Sequence, residues 1–392
     1  MCQRNLKGLP STNVTHSTKA PADSPAFNHQ NEQSRLTRAR VAAGAIANRV
    51  GAGLMPAIPD AAKRMMARAI TIDGNTLDPT MQLAVLSLKL SGEPGLIARE
   101  DAAYSRERVR QTTAAIDRNP VPVSAVTELS IPGPAGDIPA RHYRPEHDDA
   151  GALLVYFHGG GWVVGDLDSH DNLCRLLCRD AGISVLSVGY RLAPEHPAPA
   201  GLDDAYAAYR WSLEHGADLG TRSGVVAVGG DSAGGNFAAV VARQGRDDGV
   251  APALQFLLYP ATDQRGGTRS RALFANGFFL TAQDMEWCRD QYLRGSQLDA
   301  TDPRVSPLLA DDLTGLPPAL VVTAGFDPLR DEGESYAQRM REAGVTVDSR
   351  RMSSMIHAFG NFWPLGGGSV IAMAEVTSAL RAHLCYAAPP VV

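Results

Sequence analysis

The chain has 392 residues, 44% of them apolar and 20% charged, with a formal charge of −5 at pH 7. That length is enough to bury a substantial core in one large α/β unit, and the mild acidity excludes the basic footprint of a nucleic-acid binder. No run of eighteen apolar residues occurs, which excludes a helical membrane span, and five scattered cysteines do not make a disulfide framework.

Residues 1–35 are polar and poor in large apolar side chains, a composition that predicts a flexible tail. The first residues lack the apolar core of a secretory signal, so a cytoplasmic location is expected and the Asn13-Val14-Thr15 acceptor is read as chance. In keeping with a reducing compartment, Cys2, Cys174, Cys178, Cys288 and Cys385 are read as buried or free thiols. A zinc site would need further soft ligands, and no cluster supplies them, so neither metal nor cofactor is expected. Residues 36–56 predict a helix with Leu36, Val41, Ile46, Val50 and Leu54 on one side. Arg and Gly interrupt that stripe, so it is expected to pack on its own protein rather than serve as a lid or membrane-surface helix. Further helices are expected between 60 and 118.

From Val123 the pattern changes. "AVTELSIPG" and "DIPARHYRP" predict two strands joined by a Pro-Gly turn. The runs "ALLVYF", "ISVLSV", "GVVAVG", "LQFLLYP" and "ALVVTAG" are apolar without alternation, as in strands buried on both faces of a parallel sheet. Helices are expected over 169–181, 201–216, 233–245 and 329–343, giving a doubly wound α/β sheet. The stretch between "LLYP" and "ALVVTAG" is too long for a simple crossover and is expected to be an extra substructure over one edge.

Gly230-Asp231-Ser232-Ala233-Gly234 sits between a predicted strand and a predicted helix. A turn this tight forces the serine into a strained conformation, with glycines two residues away on both sides avoiding side-chain clashes. It is expected to lift the Ser232 hydroxyl into solvent at a helix N-terminus, where partial positive charge favours a developing oxyanion. The phosphate-loop and dinucleotide spacings are absent here, and Ser232 is read as a nucleophile in preference to a mere N-cap serine.

A second glycine cluster, His158-Gly159-Gly160-Gly161-Trp162, follows the buried run ending at Phe157. Three glycines leave bare main chain, as the negative oxygen of a tetrahedral acyl intermediate requires. Gly160, Gly161 and Ala233 are assigned as N–H donors, each worth about 3–4 kcal/mol of transition-state stabilisation. His158 is expected to shape the loop by hydrogen bonding. A serine also needs a base, and the base needs an orienting acid, in the chain order Ser, acid, His. Asp327, just past "ALVVTAG", is the expected acid; Asp331 and Glu332 fall inside the next helix and are expected to be solvated. His357, in a loop after the strand "TVDSRRM", is the expected base, and His383 reads as a surface residue of a C-terminal helix. The aromatics Phe274, Phe278, Phe279, Trp287 and Tyr292 either line an acyl pocket or form a local core.

"HGGGW", "YRLAPEHPAPAGLDDAY", "GGDSAGGN" and "DPLRDEGESYAQRM" together resemble the hormone-sensitive-lipase-like, bacterial type IV carboxylesterases of the α/β-hydrolase superfamily, over residues 75 to 386. The resemblance implies an α/β-hydrolase fold: a mostly parallel central sheet with helices on both faces and a helical cap. The cap would come from helices within 36–118 and an insertion near 263–306, on a catalytic domain spanning 119–392. It implies hydrolysis of short- to medium-chain acyl esters and a small-molecule substrate; the oligomeric state is left open, a homodimer included. It also places Glu195 and Asp204 in support of the oxyanion loop, although a salt bridge or a helix N-terminal carboxylate explains each equally well. The chain departs from the family at Ala358, where glycine usually follows the histidine; one extra methyl beside the base implies modest repacking. A non-catalytic receptor on the same fold is the rival reading, disfavoured because Ser232, Asp327 and His357 are all present. An amidase or deacetylase would use identical parts and is not separated by the sequence.

Overall fold

The computed structural model describes residues 53–90, 92, 95–98, 101–147, 151–221 and 225–385. The expected tail over 1–35, most of the expected helix over 36–56, Cys2 and the Asn13-Val14-Thr15 acceptor lie outside the described residues. The helical stretch before Arg118 divides into α1 (Asp60–Met66), α2 (Pro79–Leu90) and α3 (Ala102–Ile116), with a two-residue hairpin, Thr71–Ile72 against Asn75–Thr76, between α1 and α2. Asp101 caps α3 by accepting the N–H of Tyr104 at 3.0 Å. Among the described residues no helix is long and apolar enough to cross a membrane.

The apolar runs become one sheet. Its strands are β1 (Ala125–Gly133), β2 (Gly136–Arg144), β3 (Ala152–Phe157), β4 (Ser184–Val188), β5 (Val225–Asp231), β6 (Gln255–Leu258), β7 (Ala319–Phe326) and β8 (Val347–Ile356). They lie in the order β1-β2-β4-β3-β5-β6-β7-β8. β1 and β2 form an antiparallel hairpin whose turn is Pro134-Ala135, two residues on from the expected Pro-Gly, and β2 is antiparallel to β4. From β4 to β8 every pairing is parallel. β3 to β7 are buried along their whole length, as runs without alternation require. Alternate side chains of β3 then feed two cores: Leu153, Val155 and Phe157 on one face, Ala152, Leu154 and Tyr156 on the other.

Helices cover both faces, which is the α/β-hydrolase architecture the resemblance implies. α4 (Asp171–Ala181) packs with the Tyr156 face; α5 (Ala200–Glu214) and α6 (Ala233–Asp247) pack with the Phe157 face. The stretch after β6 holds α7 (Arg269–Leu273) and α8 (Ala282–Leu293). α9 (Arg330–Glu342) follows β7 on the Phe157 face, and α10 (Gly368–Cys385) closes the Tyr156 face. The insertion does not sit over a sheet edge as its length suggests; it crosses the carboxyl ends of the strands. Ser270 of α7 donates its N–H to Asp331 of α9 at 2.7 Å, and Tyr292 of α8 stacks on Trp162, just past the central strand β3, with ring centroids 4.5 Å apart. The insertion carries aromatic surface, and the strand ends offer Trp162 and Phe326 to bury it. Among the described residues Cys174, Cys178 and Cys288 are buried and Cys385 is half-buried, none of them joined in a disulfide.

Candidate active site

Strand register brings the expected residues together. Phe157 of β3 pairs with Gly230 of β5, so the glycine loop and the serine turn leave the sheet side by side. Phe326 of β7 pairs with Ile356 of β8, so the next residues, Asp327 and His357, emerge as neighbours. His357 Nε2 lies 2.9 Å from Ser232 Oγ, and His357 Nδ1 lies 2.7 Å from Asp327 Oδ2. With the proton on Nδ1, the imidazole donates to Asp327 and accepts from the serine hydroxyl. The other Asp327 oxygen accepts the N–H of Leu329 at 2.8 Å, which fixes the carboxylate plane. Tyr259 flanks the imidazole at 4.9 Å between ring centroids.

Ser232 has φ 54° and ψ −116°, and it stands immediately before α6. The sequence accounts for this strain through the neighbouring glycines. A Cβ on Gly234 would lie 1.8 Å from the carbonyl oxygen of Phe157, so only glycine lets the serine turn approach β3 this closely. The hydroxyl does not stand free in bulk solvent, however: Ser232 is 8% exposed and opens into a cavity. The helices that roof the strand ends account for the difference, since periodicity of β5 and α6 says nothing about what lies above them.

In the glycine loop Gly160 has φ 120°, and a Cβ there would meet the carbonyl oxygen of Val164 at 2.1 Å. Gly159 and Gly160 line the same cavity as Ser232. Gly161 is the next residue, with Cys288 of α8 packed directly on it. Ala233 is the first residue of α6, where a helix leaves N–H groups without an internal acceptor. His158 is buried and faces the loop rather than Ser232. Its Nδ1 lies 2.8 Å from the Gly159 carbonyl oxygen, its ring stacks on Tyr190, and Tyr190 donates to its carbonyl at 2.6 Å. Burial, with His170 nearby, holds its imidazole near pKa 4 and therefore neutral.

The cavity has room for about 80 Å³. Ser232, His357, Asp231, His170 and Asn361 line it together with apolar Leu88 of α2, Val109 and Ile116 of α3, Phe279 of the insertion and Phe362, and with Arg108, Thr112 and Thr113 of α3. Of the five aromatics singled out in the sequence, only Phe279 lines the cavity; Phe274 and Phe278 pack on Phe326, and Tyr292 is buried against Trp162.

A family model for the α/β hydrolase fold matches residues 154–361. Over 349 residues the chain is 55% identical to carboxylic ester hydrolase LipN of Mycobacterium tuberculosis, covering 87% of this chain and 92% of that protein. The chain belongs to the hormone-sensitive-lipase-like α/β hydrolases. Identity to the ethyl acetate hydrolase of Pseudomonas putida is 39%, over 72% of this chain and 91% of that one. Among solved structures, the Pyrobaculum calidifontis esterase superposes with a TM-score of 0.72 at 39% identity, over 78% of this chain and 98% of that one.

Around the site of this α/β hydrolase Glu332 departs from the sequence reading, while Glu195 and Asp204 take its salt-bridge alternative. Glu332 is not solvated but fully buried, accepting the N–H groups of Thr262 and Asp263 at 2.9 and 3.1 Å and pairing with Arg271 of α7 at 2.8 Å. Burial outweighs these partners and raises its carboxyl to about 7. The helical position alone suggested exposure, because the insertion that covers it is remote in sequence. Glu195 and Asp204 are both salt-bridged, the first to Arg106 of α3 at 2.6 Å and the second to Arg191 at 2.8 Å. Arg106 also donates to the carbonyls of Val163 and Ala193, so Glu195 ties α3 to the end of the glycine loop. His383 is half-buried and lies 3.2 Å from Asp348. Ala358 has φ 61° and lines the cavity, so its methyl adds backbone strain as well as volume. The sequence reading missed two residues altogether: Asp231, beside the serine, and His170, at the N-terminal edge of α4. Both are buried on the cavity wall. An acidic residue after two glycines and directly before the nucleophile was the one available signal.

Proposed function

We propose that the protein hydrolyses carboxylic esters of short- to medium-chain acids through Ser232, His357 and Asp327. Ester hydrolysis as the reaction class follows from membership of a family whose relatives include named carboxylic ester hydrolases. The observation that carries the catalytic assignment is the continuous contact from Ser232 Oγ through the His357 ring to Asp327, at 2.9 and 2.7 Å, opening into an apolar cavity.

In this reading His357 Nε2 takes the serine proton as Oγ attacks the acyl carbonyl. Asp327 holds the tautomer and stabilises the imidazolium. The N–H groups of Gly160, Gly161 and Ala233 receive the negative oxygen of the tetrahedral intermediate. His357 then protonates the leaving alkoxide, and water repeats the cycle on the acyl-enzyme. α2, α3 and the 263–306 insertion act as the cap, with the strand-bearing part from 119 onwards as the catalytic domain. The test is phosphonate labelling followed by peptide mapping: label on Ser232 is expected, and label on another serine would remove the assignment.

A further inference from the structure

The ester reaction as written leaves one buried charge unexplained. Asp231 Oδ1 accepts the N–H of Gly159 at 2.8 Å and the hydroxyl of Tyr156 at 2.7 Å. Asn361 Nδ2 lies 3.4 Å from its other oxygen. It is therefore a carboxylate fully withdrawn from water, between the nucleophile and the first glycine of the oxyanion loop. An uncompensated negative charge there would oppose the oxyanion forming beside Gly160, since like charges repel strongly where water is excluded.

The compensation comes from α4. His170 Nε2 stands 3.4 Å from Asp231 Oδ1. His170 Nδ1 stands 3.0 Å from Ser169 Oγ. That hydroxyl donates to the Asp166 carbonyl at 3.0 Å, which leaves a lone pair for an Nδ1–H. Nδ1 thus has a hydrogen-bond acceptor, while Nε2 makes no hydrogen bond and meets the Asp231 carboxylate only as an ion-pair contact at 3.4 Å, which favours the imidazolium. Burial alone would push the His170 ring down and the Asp231 carboxyl up; their mutual attraction outweighs it, so the ring is raised and the carboxyl lowered. The other titratable groups facing the pair are Asp166 before α4, Asp117 after α3, and the neutral His158, whose ring centroid is 5.4 Å from that of His170. The phenols of Tyr156, Tyr190 and Tyr259 are raised by burial and stay uncharged.

We propose that His170 and Asp231 form a charge-neutral positioning pair for the oxyanion loop. Asp231 sets the loop register through the Gly159 N–H, and the His170 imidazolium cancels the charge that this anchoring brings next to the reacting oxygen. The proposal rests on the ester-hydrolysis reading, and its effect falls on kcat because the oxyanion exists only in the transition state.

The test is steady-state hydrolysis of p-nitrophenyl butyrate by His170→Gln, Asp231→Asn and the double variant, with active sites counted by phosphonate titration. His170→Gln leaves the carboxylate uncompensated, and a loss of about tenfold or more in kcat is expected with KM changed less than about twofold. The double variant removes both charges while leaving an amide oxygen at position 231 to accept the Gly159 N–H, so it is expected to recover to within about threefold of the wild type. The wild-type rate should fall as the pH rises through the raised His170 pKa, and the double variant should lack that fall. Wild-type kcat in His170→Gln, or losses that simply multiply in the double variant, would overturn the pair. If His170→Gln does not fold, the double variant decides, and a slow double variant overturns the proposal. Activity surviving in Ser232→Ala would instead sink the underlying ester-hydrolase reading.

Discussion

At the end of β5 the main chain sets the geometry, whereas across the cavity, on α3 and the insertion, side chains set it. Ser232 stands at φ 54° because glycines on either side let two strands and a helix meet within van der Waals limits. Val109 and Ile116 of α3 and Phe279 of the insertion, the last at φ 77°, line the same cavity with apolar side chains that no strand carries. The two walls should therefore fail differently. Changes at the strand ends should abolish rate or fold, and changes on the opposite wall should alter which ester fits.

The largest effect should come from Ser232→Ala, which removes the proposed nucleophile and is expected to lower kcat for p-nitrophenyl butyrate by on the order of a million-fold. A modest loss would break the contrast at once. Gly234→Ala should cost on the order of 3 kcal/mol of stability or more, because the new methyl would press on the Phe157 carbonyl. Urea unfolding measures this, and a wild-type midpoint would show that the turn is softer than its backbone implies. On the opposite wall, Phe279→Ala should leave the fold intact and raise kcat/KM for p-nitrophenyl octanoate relative to butyrate by roughly threefold to tenfold. An unchanged ratio would mean that Phe279 does not limit the acyl chain.

Two smaller effects sharpen the boundary between the walls. Ala358 sits at φ 61°, where a non-glycine residue costs about 1–2 kcal/mol. Glycine offsets part of that gain through unfolded-state entropy, so Ala358→Gly should raise the melting temperature by only about one degree. A fall in melting temperature would show that the methyl packs better than its strain costs. Glu195→Gln should be weakest. Arg106 holds the Glu195 carboxyl down at about 2, below its ordinary 4.5. The pair's stabilisation is therefore present above 4.5 and lost as the pH falls through 2. Because Glu195 is half-exposed, less than about 1 kcal/mol is expected at neutral pH. A variant equally destabilised at pH 7 and pH 2 would show that charge is not the cause.

Legibility followed the same division. Ser232 and Asp327 each follow a recognisable apolar run, His357 follows the mixed strand "TVDSRRM", and parallel register carries these strand ends to one edge of the sheet. His170 escaped notice because it lies in a polar loop, "DLDSHDN", where nothing local marks a buried ring. Glu332 was misread as solvated because amphipathic spacing describes a helix by itself, while its cover comes from Arg271, Thr262 and Asp263. The insertion was recognised by its length and misplaced, since length carries no direction.

By itself the sequence determined the alternation of strands and helices, the need for glycine on both sides of Ser232, and the chain order of serine, acid and histidine. These are local or periodic properties, fixed by steric limits within a few residues. Tertiary structure alone decided that the serine faces a roofed cavity, that Phe279 rather than Phe274 or Phe278 reaches it, and that Asp231 meets His170. Each of those depends on where distant segments come to rest, and burial, charge compensation and cavity shape are sums over neighbours that no short stretch of chain contains.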